Sequence, residues 1–269
     1  MARAAQVSPS RRAAARRRYT AGVASRDDWQ RRLGPLYGGA VALVHSTPWR
    51  WPTEVGDDPR AAGWLVALGV PVGALAWLTT ALVRAAGLPL AIAALLGLAT
   101  LSLASAALVE RGLAERVDHW DGRTHDGDAR SPGVPAVLVL VFVTLVRAGA
   151  FLALPSAHWL AVLVVTAVVG RWSAMVVQAI GDPVDPDGPR RSLVTAPAPA
   201  WLAAAITAAV ATVTILAIGK AGVVALALAA LAAFALGLEA QRRDGGLSGP
   251  VIASVAAVGE LAVLLIATI

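Results

Sequence analysis

The chain has 269 residues, of which 57% are hydrophobic and 15% are charged, and its mean hydropathy is +0.67. These values exclude an ordinary soluble domain and predict an integral membrane protein. The formal net charge is +6, and the lack of cysteine excludes disulfides, thiol catalysis and thiolate metal sites.

Residues 1–36 are predicted to form a basic N-terminal arm. Residues 1–32 hold nine arginines and two aspartates, and the run SRRAAARRR occupies positions 10–18. A basic arm before a first membrane span is more typical of the cytoplasmic side, or of contact with anionic lipid, than of nucleic-acid binding. We therefore expect no nucleic-acid partner. No apolar segment with a small-residue cleavage site precedes the arm, so we also expect no removable signal peptide.

Residues 37–269 are predicted to form one transmembrane domain with an all-α fold. Its apolar runs lack the alternation of strands, and several reach the ~20 residues that a helix needs to cross a bilayer. The apolar piece at 37–45 is too short to cross and predicts a half-helix or an interfacial segment. Gly69 and Gly73 would let another helix approach the first span closely. The sequence predicts seven transmembrane helices, at about 62–83, 88–109, 134–154, 158–180, 200–218, 221–238 and 249–268.

The charges between these spans predict the topology. With a cytoplasmic N-terminus, the connections 110–133, 181–199 and 239–248 all fall on the cytoplasmic side and hold eight arginines, against Arg84 and Lys220 outside. Polar connections that share one face favour an enzyme at the cytoplasmic interface over a carrier, which needs access from both sides. The mid-span exceptions are Arg147, Arg171 and Glu260.

The segment from Glu110 to Arg130 is the densest group of charges, with six carboxylates, four arginines and two histidines. One interpretation is a solvated loop that neutralises itself, and composition alone favours it. The other is a divalent-cation site that holds a phosphate-bearing substrate, because hard cations bind several carboxylate oxygens.

The order of these features resembles the adenosylcobinamide-GDP ribazoletransferase family, also called cobalamin synthases, over most of residues 37–269. Where that family carries His-x-Asp-Gly-x-x-Asp-x-x-Asp-Gly, this chain has ALVERGLAERVDH (107–119). The other matching segments are STPWRWP (46–52), LGVPVG (68–73), DARSPG (128–133), VVGRWSAM (168–175) and GGLSGPVIASVAAVGELAVLL (245–265).

The acidic motif of the family is diverged in this chain. Val109, Arg111 and Glu115 stand at the family's histidine and first two aspartates, and Asp118 keeps the third. In the C-terminal segment, Pro250 and Ala257 replace an aspartate and a glutamate. A retained scaffold supports a common fold more securely than a common activity.

The resemblance implies transfer of the cobinamide phosphate of adenosylcobinamide-GDP to a hydroxyl of α-ribazole, with release of GMP and a requirement for Mg²⁺. It implies corrinoid and nucleotide substrates, contact with membrane lipids and a place in the bacterial cytoplasmic membrane. Carried over to this chain, it predicts His119, Arg130 and Arg171 as catalytic residues, Glu115, Asp118 and Asp128 as metal ligands, and Asp121, Arg190 and Arg191 as substrate-binding residues.

Several alternatives stay open at this point. The chain could be a non-catalytic homologue that binds or assembles corrinoid enzymes, alone, as a homo-oligomer or in a complex. DGDAR (126–130) faintly resembles the start of the CDP-alcohol phosphotransferase motif, but the later part of that motif is missing. Arg171 could instead extend toward the end of its span. Glu260 is as readily a structural partner of Arg147 as a catalytic group.

Overall fold

The computed structural model describes residues 26–48, 58–121, 132–184, 193 and 195–269. Within these residues the chain forms helices, two of them short 3-10 turns, and no strand beyond one isolated bridge between Pro183 and Leu247. The predicted all-α fold is therefore confirmed. The α-helices of this part of the chain are α1 (Arg26–Leu33), α2 (Tyr37–Ser46), α3 (Ala61–Ala67), α4 (Gly69–Ala85), α5 (Leu90–Ala104), α6 (Leu108–Trp120), α7 (Val134–Ala153), α8 (Trp159–Ile180), α9 (Ala200–Ile218), α10 (Lys220–Arg243) and α11 (Gly249–Ile266).

The long apolar helices confirm a polytopic membrane protein. Six helices of the described residues are long and apolar enough to cross a membrane, and the bent pair α5 and α6 adds a seventh if it forms one span. The first of the six, Ala61–Ala85, joins α3 and α4. The short apolar piece at 37–45 lies in α2, a ten-residue helix that packs against α3. Residues 1–25 of the predicted arm lie outside the described residues.

The second predicted span is wrong as one continuous helix, because the chain bends by 81° between α5 and α6. At this bend the N–H of Ala106 donates to the carbonyl of Leu103 (2.9 Å), and the N–H of Ala107 donates to that of Ser102 (2.8 Å), which is a Schellman arrangement. Both alanines have positive φ values, +54° and +52°, in a region that favours glycine. The first part of the predicted polar connection 110–133 is consequently helical and forms α6.

Small residues bring the central helices together. α8 and α11 are the most buried spans. Gly73 of α4 faces α8 so closely that a Cβ there would lie 2.5 Å from the Cα of Val164, and one at Gly69 would lie 2.7 Å from the Cα of Val168. The predicted close approach of a helix to this glycine pair is confirmed.

One end of the bundle collects the polar connections, and we call it the rim. It is formed by the C-terminal ends of α6, α8 and α10 and the N-terminal ends of α7 and α11. The N–H of Leu247 donates to the carbonyl of Asp182 (2.7 Å), which joins the segment after α8 to the segment before α11. Gln178, near the end of α8, accepts from the N–H of Thr195 (2.6 Å). The rim therefore unites segments that lie far apart in the sequence.

Candidate functional site

A buried arginine joins α6 to the end of α10 in what we call the rim cluster: Arg116, His119 and Trp120 with Glu239 and Asp244. The Arg116 side chain is 3% exposed, and it donates through Nη1 to Asp244 and through Nη2 to Glu239 (3.1 Å). Its guanidinium lies 5.3 Å from the centroid of the Trp120 ring, and Trp120 Nε1 donates to Glu239 (3.1 Å). One cation thus holds two carboxylates by charge-assisted hydrogen bonds.

His119 lies on the exposed side of this cluster. Its Nε2 is 3.1 Å from Oδ1 of Asp244, and because a carboxylate only accepts, Nε2 carries the hydrogen of this bond. Partial burial raises the pKa of Asp244, but the hydrogen bonds from Arg116 and His119 and the positive charge of Arg116 outweigh it and hold the pKa below its ordinary value. Asp244 is therefore ionised at neutral pH, and it orients the imidazole. The catalytic role of His119 stays a prediction.

Asp118 is buried between α6 and α7. It is 1% exposed, and both carboxylate oxygens accept from the backbone N–H of Gly133, at 3.0 and 3.1 Å. Gly133 is the residue directly before α7, so a negative charge there also complements the positive end of the α7 dipole. Asp118 therefore fixes the start of α7 against the end of α6.

Two of the other predicted site residues, Glu115 and Asp121, lie on α6 and directly after it. Glu115 accepts from Nε of Arg111 (2.7 Å) in a pair whose arginine is largely exposed. Asp121 follows the last residue of α6 and is exposed. Glu115, Asp118 and Asp121, all within the described residues, do not form a group that could hold a metal ion. The predicted site residues outside the described part of the chain are Asp128, Arg130, Arg190 and Arg191.

A second group of charges lies inside the bundle, and we call it the interior cluster: Glu110, Arg147, Arg171 and Glu260. Arg147 donates through Nη2 to Glu260 (2.7 Å) and through Nη1 to Glu110 (3.0 Å). The hydroxyl of Ser102 also donates to Glu110 (2.5 Å). Of the two alternatives left open for Glu260, the structure shows the pairing with Arg147. The four charges sum to zero, as a low-dielectric interior requires.

Arg171 belongs to the interior cluster rather than to the rim. It is 2% exposed, and it donates through Nη1 to the carbonyl of Ala167 (3.0 Å) and through Nη2 to the hydroxyl of Ser105 (2.6 Å). Ser105 ends α5, so the guanidinium complements the negative end of that helix dipole. The alternative that Arg171 extends to the end of its span is wrong, and the structure does not bring Arg171 together with His119.

The family of the chain is shown by a match over most of its length. A family model described as cobalamin-5-phosphate synthase matches residues 40–268. The chain belongs to the cobalamin-5-phosphate synthase family. This family consists of transferases of cobalamin biosynthesis, so the match supports an enzyme. No curated protein and no solved structure matches the chain.

The Mg²⁺ expected from the resemblance to cobalamin synthases does not fit the described carboxylates. Among the residues that the structure describes, no three His, Asp or Glu side chains lie close enough together to hold a metal ion. Asp118 is bonded to the backbone of Gly133, and Arg116 occupies the carboxylates of Glu239 and Asp244. Of the three implied metal ligands, Glu115 is paired with Arg111, Asp118 accepts from the backbone of Gly133, and Asp128 lies outside the described residues, so the magnesium requirement stays a prediction.

Sequence reasoning missed Glu239 and Asp244 as members of the site, and it counted Arg116 only among the arginines of the cytoplasmic connections. The signal that could have found them is topological. The acids Glu239 and Asp244 end one apolar span, and the predicted topology puts them on the same side of the membrane as the basic residues of 110–133. Opposite charges on one face of a membrane domain are candidates for pairing.

Proposed function

We propose that the chain is a phosphotransferase that joins adenosylcobinamide-GDP to an α-ribazole acceptor and releases GMP, and that the rim, on the cytoplasmic face of the bacterial membrane, is the site of this reaction. The observation that carries the proposal is the convergence of the polar ends of α6, α8 and α10 in a member of the cobalamin-5-phosphate synthase family. The arginine-rich connections at this end favour the cytoplasmic side.

In the proposed reaction a ribose hydroxyl oxygen of the acceptor forms a bond to the cobinamide phosphorus. The bond from that phosphorus to the oxygen of GMP breaks, and GMP leaves with the electron pair. The protein must position the two substrates and balance the negative charge on the phosphoryl oxygens. Arg130, Arg190 and Arg191 are the proposed phosphate contacts, because a guanidinium binds phosphate with two parallel hydrogen bonds. His119 is the proposed acceptor of the hydroxyl proton, and Asp121 the proposed contact to the substrate.

The family description also bears on the acceptor. A synthase of cobalamin 5-phosphate makes a product that still carries a phosphate, which favours the 5′-phosphate of α-ribazole over α-ribazole itself. An acceptor that carries this additional phosphate dianion would bind the adjacent arginines Arg190 and Arg191 more tightly than the free nucleoside would.

A second candidate function is supported by a separate observation. Because Asp118 and the carboxylates of the rim cluster already bond to protein donors, the chain would also suit a non-catalytic homologue that binds or assembles corrinoid enzymes in the membrane. Such a role requires the fold and the lipid-facing helices but requires no turnover of substrate.

Turnover by the purified protein separates the two candidates. The full chain in lipid nanodiscs is given adenosylcobinamide-GDP with either acceptor, with and without Mg²⁺, and GMP is measured by chromatography. We expect GMP release above the rate in empty nanodiscs, and no release with either acceptor would reject the transferase in favour of the second candidate.

A matched pair of double variants tests the site. R190A/R191A removes two positive charges from the predicted rim connection, and R84A/K220A removes two from the opposite end of the bundle. Since a charged hydrogen bond contributes about 1.5–3 kcal/mol, the first variant should raise KM by roughly tenfold or more per arginine. The second should leave KM unchanged, and equal effects of the two would move the site away from the rim.

A further inference from the structure

Arg116 lies where a bound cation would be expected if the rim held one. Its buried guanidinium contacts the carboxylates of Glu239 and Asp244, which are 26% and 15% exposed, and both come from the end of α10. A guanidinium stays charged at every pH that a protein meets, and it fills the space between the two carboxylates. A divalent ion could bridge them only after Arg116 had left.

The carboxylate that best matches the family's acidic motif is also engaged. Asp118 is enclosed between α6 and Gly133, with 1% of its surface exposed. A metal ion keeps several ligands around it, so it would have to separate the end of α6 from the start of α7 to reach this side chain. Glu115, the second carboxylate of α6 expected to bind metal, is paired with Arg111 (2.7 Å), which lies one helical turn before it and brings a positive charge.

We propose that Arg116 is a built-in cation of the rim, which together with Arg243 neutralises Glu239 and Asp244 and which holds α6 against α10 without a divalent metal ion. Asp118, in the same proposal, anchors the start of α7 and does not bind metal. The inference rests on the proposed function only in taking the rim as the site. Beyond that function, the proposal states that arginines, and not a metal ion on α6, balance the negative charge of the carboxylates in this part of the rim.

Metal binding tests the role of Asp118 directly. Mn²⁺ serves as a spectroscopic probe, and electron paramagnetic resonance measures the free ion during titration of the full chain in detergent. We expect D118N and E115Q to change the dissociation constant by less than twofold, and a wild-type chain that binds no Mn²⁺ also supports the proposal. Weakening by tenfold or more in D118N, which is what loss of a metal ligand or of its supporting shell produces, would overturn it.

Removal of the guanidinium gives a complementary gain. In R116A the carboxylates of Glu239 and Asp244 lose their buried cation and keep only the exposed partners Arg243 (3.3 Å from Glu239) and His119 (3.1 Å from Asp244), so this variant should acquire Mn²⁺ binding and a Tm that rises with added MgCl₂. R116A/D244N should lose that gain, and R116K, which keeps the positive charge but cannot donate from two nitrogens, should gain less Mn²⁺ affinity than R116A. R84A removes an arginine from the opposite end of the bundle and is the matched control.

A Tm of R116A that responds to MgCl₂ no more than that of R84A would contradict the proposal. Were R116A not to fold, the D118N titration would still decide the matter. None of these measurements uses a substrate. A chain that shows the expected metal behaviour but releases no GMP would therefore lose the proposed function alone, whereas a chain with turnover and a tenfold loss of Mn²⁺ affinity in D118N would lose only this inference.

Discussion

The interior cluster leads to a specific prediction about stability, because the charges of its two arginines and two glutamates sum to zero only when all four are present. Arg147 bonds to both carboxylates, at 2.7 Å to Glu260 and 3.0 Å to Glu110, and its side chain is 6% exposed. Arg147→Met leaves two carboxylates with the single guanidinium of Arg171, a net charge of −1. Glu260→Gln leaves two guanidinium groups with Glu110, a net charge of +1.

Each of these single substitutions strands a buried charge, and removal of one partner of a buried pair typically lowers the free energy of unfolding by about 3–5 kcal/mol. The double variant R147M/E260Q restores neutrality, since Glu110 and Arg171 remain. We therefore expect it to be more stable than the sum of the single effects implies, with a coupling free energy of about 2 kcal/mol, within the range of about 0.5–3 kcal/mol found for contacting residues.

Unfolding in detergent micelles, followed by the fluorescence of the nine tryptophans, measures all four corners of this cycle. Arg31 and Asp28 provide a control of the same length, 2.7 Å, with side chains that are 76% and 40% exposed. Loss of that exposed pair should change stability by less than about 1 kcal/mol. Additive effects at Arg147 and Glu260, with a coupling below about 0.5 kcal/mol, would refute the reasoning that net neutrality stabilises the cluster.

Three further predictions concern packing, backbone and pH. Gly73→Leu should lower the free energy of unfolding by at least about 1–3 kcal/mol, since its Cβ would lie 2.5 Å from the Cα of Val164, and failure of SDS titration to detect a loss would contradict the close contact. Ala106→Gly should raise the Tm, because φ is +54° and glycine removes roughly 1–2 kcal/mol of strain; an unchanged or lower Tm would speak against that strain. Burial raises the pKa of Asp244, but its hydrogen bonds with Arg116 and His119 outweigh burial and hold the pKa below its ordinary value of 3.8. Ionised Asp244 therefore stabilises the fold above pH 3.8, and this contribution disappears as the pH falls through the lower pKa of the folded protein. The Tm advantage of wild type over D244N should thus be full at pH 6 and shrink below about pH 4, and a gap that is constant between pH 6 and pH 3 would argue against the Arg116 contact.

Much of the fold could be predicted because the signals involved are local in the sequence. A span needs only length and hydropathy, so the apolar runs place most of the helices. A glycine pair spaced by four residues marks one helix face, and Gly69 and Gly73 do contact α8. The pairing of Glu260 with Arg147 could be anticipated because an ionisable group inside a membrane needs a partner, and few candidates exist.

The bend between α5 and α6 could not be predicted from local sequence. Alanine has the highest helix propensity, so Ala106 and Ala107 favour continuation of the helix. Contacts from distant helices flank the bend: Ser105 accepts from Arg171 of α8, and Glu110 bonds to Arg147 of α7. These partners lie far along the chain, so no local pattern records them.

The rim cluster shows why a charged stretch is hard to interpret. Arg116 lies in the segment that composition assigns to solvent, and its burial depends on Asp244, which is 128 residues away. Within α6, Arg111 is largely exposed and Arg116 is buried, although both are arginines in the same polar run. Only the helical periodicity of α6, together with the position of α10, distinguishes them. In this protein the guanidinium of Arg111 binds Glu115 within the carboxylate-rich stretch, and that of Arg116 binds two carboxylates at the end of α10. The cations of the chain must therefore be placed before such a stretch is interpreted as a metal site.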